Sequence, residues 1–155
     1  MRIIKSLFLI FSILLFISCS DNKNNNEKFD VVPVDSTKSF AVLGYCVPAP
    51  KHAMNVKYAI VNKTIAESNF DYNNINYYYR ASKNLNDLLS FFYNLQEERK
   101  NIDEETNIEI TIQTNDKKEY IAYWNVNGIY YSLYSEEENE IDDLALLLMR
   151  NKALN

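Results

Sequence analysis

The stretch EYIAYWNVNGIYYSLY, residues 119–134, constrains the fold more than any other part of this chain. Alternating β-branched and aromatic residues run up to Asn127-Gly128 and resume directly after it. That dipeptide suits a type I′ turn, whose two central residues both need positive φ. The stretch therefore predicts an antiparallel hairpin.

Other runs supply its neighbours. VKYAIVN, TIAESNFDY and INYYYRAS are rich in β-branched and aromatic residues and are separated by Asn and Lys turns, which predicts three strands. In the third, Ile75, Tyr77, Tyr79 and Ala81 share one face and Asn76, Tyr78, Arg80 and Ser82 the other. NIEITIQT alternates again, with Ile108, Ile110 and Ile112 inward. Three segments follow helical signals instead. In DSTKSFAVLGY, Asp35 or Ser36 is placed as N-cap and Gly44 as the stop, and the prolines of VPAP then bar regular structure. In NLNDLLSFFYNLQ, Leu85, Leu88, Leu89, Phe92 and Gln96 keep helical spacing behind Asn84, predicting a helix over Leu85–Leu95. In SEEENEIDDLALLLMRN, Ser135 and Glu138 form a capping box, and Ile141, Leu144, Ala145 and Leu148 make one apolar stripe. Its acidic first turns suit the positive end of the helix dipole. Together these predict an α+β domain over residues 35–155: an antiparallel sheet of about six strands, with a short N-terminal helix and a C-terminal helix packed on it.

The first thirty residues follow different rules. Arg2 and Lys5 precede an uncharged run from Leu7 to Ile17, and Ser18 is the small residue a cleavage site needs, the anatomy of a secretory signal. The run falls short of the roughly 20 apolar residues of a membrane span. Its end, Phe16-Ile17-Ser18-Cys19, resembles the lipobox of bacterial lipoproteins, although Leu is the commonest residue where Phe16 stands. The resemblance implies a signal peptide over residues 1–18 and acylation of Cys19, which becomes the first mature residue. Two or more fatty chains anchor stably where one holds only marginally. The expected partner is thus a membrane, reached through the lipid anchor, in the bacterial cell envelope and facing the periplasm or the exterior. Residues 19–34, including the polar stretch SDNKNNNEKFD, read as the lipidated cysteine and a flexible tether.

The rest of the chain also resembles a family of uncharacterised domains in bacterial lipoproteins and membrane-anchored envelope proteins. The likeness lies in GYCVPAP, TIAESNFDY, YYYRAS, AYWNVNGIYYSL and the terminal helix, and covers most of residues 35–150. It implies the fold and no activity.

Charge and residue usage narrow the chemistry. Cleavage before Cys19 removes Arg2 and Lys5 and no acid, taking the formal net charge from -5 to -7. No basic cluster follows, which argues against nucleic acid. With Cys19 lipidated, Cys46 has no disulfide partner and reads as a small buried apolar residue. The single histidine, His52, sits beside VPAPK and reads as a solvated loop residue. A hydrolase or redox enzyme built on Cys46 and His52 is the one catalytic alternative, without an oxyanion-hole signature to support it. Zinc sites draw on several Cys and His, and DYNNINYYYRAS has Asn76 and Ser82 where a calcium loop needs Gly and a carboxylate. The acidic clusters Glu97-Glu98, Asp103 to Glu105 and Glu136 to Glu138 read as solvated charge. The sequence assigns no catalytic residue, cofactor or metal.

The twelve tyrosines are a surplus of another kind. Aromatics are ordinary in strands, yet Tyr and Arg also favour binding surfaces. With Tyr77 and Tyr79 in the core, Tyr78 and Arg80 point outward. The candidate binding face is Tyr78, Arg80, Tyr123 and Tyr131, for a protein, peptide or lipid ligand; a lipid carrier using an aromatic sheet face is the alternative.

Overall fold

The computed structural model describes residues 29–137 and 141–153. The signal segment, Cys19, the tether up to Lys28, and Glu138 lie outside them. Eight strands form one antiparallel sheet: β1 (Val31–Val34), β2 (Met54–Val61), β3 (Ile65–Tyr72), β4 (Ile75–Ser82), β5 (Gln96–Ile102), β6 (Glu109–Thr114), β7 (Tyr120–Val126) and β8 (Ile129–Ser135). Their order across the sheet is β1-β2-β3-β4-β8-β7-β6-β5. Two meanders, β1 to β4 and β5 to β8, meet where β4 pairs with β8.

The expectation of about six strands is therefore corrected to eight. The two additional strands are the two edges. β1 lies within the segment read as tether, so the ordered domain begins earlier than residue 35. Pro33 removes a backbone donor from β1, and β5 carries Arg99 and Lys100, so both edges resist the addition of another strand.

Asparagine makes most of the turns in a chain with two glycines. Asn127 and Gly128 have φ of 51° and 82° between the paired residues Val126 and Ile129, as a type I′ turn requires. Asn73 and Asn74, at 52° and 65°, do the same between Tyr72 and Ile75. Asn is the side-chain-bearing residue that tolerates this left-handed region best.

One face of the sheet carries the main core. Phe70, Tyr77, Tyr79, Ala81, Leu133, Ala122, Trp124, Ile110 and Ile112 all lie there. Helix α2 (Ile141–Ala153) covers the β6–β7–β8 side and buries Ile141, Leu144, Ala145, Leu148 and Met149. Each large side chain buried in this way contributes roughly 1.5–3 kcal/mol. Asp142 and Asp143 open the helix and Arg150 and Lys152 close it, matching its dipole at both ends. Ser135 does not begin this helix: it ends β8, and its hydroxyl accepts from the Glu137 amide at 3.0 Å. The expected N-terminal helix is a 3-10 helix over Thr37–Val42, ended at Gly44 with φ 79°, and it plants Phe40 in the same core.

The opposite face is covered by a shorter segment. The helix expected over Leu85–Leu95 is a single turn, α1 (Leu85–Leu89), capped by Asn84, whose side chain accepts from the Asn86 amide at 3.0 Å. Asp87 pins it to the sheet by accepting from Ser82 at 3.0 Å and Thr64 at 3.3 Å. Leu88 is buried against Ala59, Val61 and Ile65. After α1 the chain presents Phe91 and Phe92 to the sheet and then continues into β5.

Candidate binding surface

The register fixes which aromatics meet. Tyr78 on β4 lies directly opposite Tyr134 on β8, with ring centres 5.8 Å apart and planes tilted by 46°. Phe92 reaches Tyr134 from the crossing segment, at 5.1 Å. Behind Tyr78, the Arg80 guanidinium lies 5.1 Å from its ring centre and 3.8 Å from that of Phe91. Arg80 also donates to Glu67 at 2.7 Å. The face opposite α2 thus carries an aromatic strip backed by a buried ion pair.

Beside the strip is an open cleft of about 280 Å³, lined by Ile75, Asn76, Tyr78, Tyr134, Ser135, Glu136 and Glu137. Two carboxylates flank the Tyr134 hydroxyl, which donates to Glu136 at 3.4 Å and to Glu119 at 3.5 Å. Partial burial and then these carboxylates push its pKa well above the ordinary value, so the phenol stays a neutral donor. On the β3 side, Asn76 donates to Asp71 at 2.8 Å, and Asn55 donates to the other Asp71 oxygen at 2.6 Å. These bonds hold the Asp71 carboxyl below its usual range. The cleft therefore has an aromatic floor and an anionic rim.

The expected binding residues separate. Tyr78 is partly exposed at the cleft, as alternation predicts. Arg80 is not presented outward: it is 7% exposed, closed between Glu67 and Phe91. Tyr123 shares the sheet face of Tyr78 but lies two strands away, in a second open cleft of about 350 Å³ that also includes Glu109, Thr111 and Tyr130. Tyr131 is on the other face. It pairs with Trp124 across β7 and β8, stacks on Tyr79 and Trp124 at 6.0 Å each, and is 6% exposed. Tyr134, Phe92 and Glu136 take the places that Arg80 and Tyr131 were expected to hold.

The aromatic face carrying Tyr79, Trp124 and Tyr131 packs into the main core with Phe40 of the 3-10 helix and with Ile141, Leu144, Ala145, Leu148 and Met149 of α2. Cys46, expected to be buried, is only half-buried. Its sulfur accepts from Lys152 of α2 at 3.6 Å, while His52 is exposed in a turn with φ 72°. Among the described residues, no three His, Cys, Asp or Glu side chains are grouped to hold a metal ion, and no helix is long and apolar enough to cross a membrane.

Comparison with family models, curated proteins and solved structures gives no match to this chain. The likeness to envelope-protein domains accordingly rests on the quoted motifs alone.

Proposed function

We propose that this chain is a lipid-anchored protein of the bacterial cell envelope whose single α+β domain binds a partner, without catalysis, through the sheet face opposite α2. The anchor rests on the sequence of the first twenty residues: the charged start, the short apolar run, and Ser18-Cys19 before a polar stretch. The binding role is carried by one observation, the open Tyr78–Tyr134 cleft. Both rings are held from behind by packed neighbours yet remain partly exposed in front. Pre-held aromatic area of this kind loses little entropy on binding, which is why Tyr is enriched where proteins meet.

The test places a photoreactive residue at Tyr78 in the intact envelope and identifies what is captured, with the same residue at exposed Lys38 as control. Capture of one species from Tyr78 and not from Lys38 is the expected result; equal labelling from both positions overturns the binding role. Radiolabelled palmitate should enter the wild-type chain and not Cys19→Ala.

A further inference from the structure

We infer that the Tyr78–Tyr134 cleft receives a cationic side chain, Lys or Arg, from a basic peptide segment of the partner. The inference rests on the proposed binding role of this face and adds the chemistry of its ligand. A π face is the electronegative part of an aromatic ring and attracts a cation within about 6 Å of its centre, most strongly where water is partly excluded. Tyr78 and Tyr134 offer two such rings, 5.8 Å apart, on the floor of a cleft of about 280 Å³. Glu136 and Glu137 line its rim, and Glu119 approaches from β7's entry to share the Tyr134 hydroxyl with Glu136. An anionic headgroup or carboxylate entering here would meet like charge; an ammonium or guanidinium would meet opposite charge on the rim and π density beneath.

The protein already uses this chemistry within itself. Arg80 lies over Tyr78 and Phe91 while donating to Glu67, a cation held by rings and a carboxylate together. Because Glu67 neutralises it, Arg80 adds no net positive charge behind the cleft. Lys117 and Lys118 belong to the adjoining β6–β7 turn and are not among the residues that line it. The mature chain's net charge of -7 supplies the long-range attraction for a basic partner.

The experiment uses the full chain in detergent micelles and a fluorescent oligolysine peptide, read by anisotropy at low salt, with its lysine-acetylated counterpart as second probe. Wild type should bind the first and not the second. Glu136→Gln with Glu137→Gln, both exposed positions, should weaken binding about tenfold, and Tyr134→Ala should weaken it by a similar factor. Circular dichroism checks that each variant is folded, and Tyr134→Leu gives a second ring-free variant if Tyr134→Ala is not. Glu104→Gln with Glu105→Gln, outside the cleft, should leave binding unchanged; if it weakens binding as much as the rim pair, general acidity explains the affinity and the inference falls. Displacement by tetramethylammonium at concentrations matching the peptide would overturn the peptide side chain as occupant, since the cleft would then be a site for small quaternary ammonium ions. A partner captured at Tyr78 that oligolysine does not displace would refute the cation while leaving the binding face intact.

Discussion

The Arg80 guanidinium donates to Glu67 at 2.7 Å while lying 3.8 Å from the centre of the Phe91 ring. Both side chains are nearly closed to solvent, at 9% and 11% exposure. An ion pair in this setting is costly to break on one side only, because the surviving charge stays buried without a partner. Glu67→Gln is expected to destabilise the domain by about 3–5 kcal/mol. Glu67→Leu with Arg80→Met should recover most of that loss, since it removes both charges and keeps apolar volume. Urea unfolding of the three chains measures this; a loss below about 1 kcal/mol in the single variant would mean that the pair behaves as a solvated one.

A second buried group makes the opposite prediction. The Tyr79 hydroxyl is fully buried and has no hydrogen-bond partner among the described residues, while its ring stacks on Trp124 and Tyr131. Burial first, and then the neighbouring Tyr131 and Cys46, hold its pKa far above the ordinary value. Tyr79→Phe keeps the stack and deletes an unsatisfied polar atom, so stability should rise by about 1 kcal/mol. A fall in the urea midpoint would show that the hydroxyl has a partner.

The β7–β8 turn allows a backbone effect to be isolated. A Cβ at Gly128 would meet no atom within 4 Å, so any cost of adding one comes from its φ of 82° and not from a clash. Gly128→Ala is expected to cost about 1–2 kcal/mol, and Gly128→Asn clearly less. Equal losses in thermal unfolding would contradict a conformational origin.

Acid should loosen the packing of α2. Asp103 accepts from both Nε and Nη2 of Arg150 on that helix and from the Thr106 hydroxyl at 2.7 Å. The guanidinium bonds, ahead of those from Thr106, hold its carboxyl down at about 2. The unfolded chain, with an ordinary carboxyl, binds the proton first as pH falls. The stabilisation is therefore complete above about pH 4 and is lost as pH drops toward 2. Asp103→Asn should flatten this part of the stability–pH curve; an unchanged curve would remove Asp103 from the account.

The six inner strands were legible because each is rich in β-branched and aromatic residues between turn signals, and β4 and β6 also alternate, as a half-buried strand does. β1 and β5 were not, for a physical reason: VVPV is too short to show a period, and QEERKNI owes its charges to lying at an edge. Strand parity places Tyr78 on the face opposite the main core, where the structure has it. Arg80 has the same parity, but its burial depends on Glu67, thirteen residues away on β3, and on Phe91 from the crossing segment, neither of which a local pattern encodes. Tyr131 could have been placed from the sequence. A two-residue turn at Asn127-Gly128 pairs Val126 with Ile129, so Trp124 must face Tyr131 and Tyr123 must face Ser132. That register puts Tyr123 and Tyr131 on opposite faces of the sheet.

The position of β1 has a mechanical consequence. The chain enters the domain through a four-residue strand held on one side only, with Asp30 tied to Asn62 just before it. Tension arriving from the N-terminal side would meet that strand first and could unzip it bond by bond. The helix-covered core would bear load only after β1 had peeled away, so the edge strand acts as a fuse between whatever holds the N-terminus and the part of the molecule that carries the cleft.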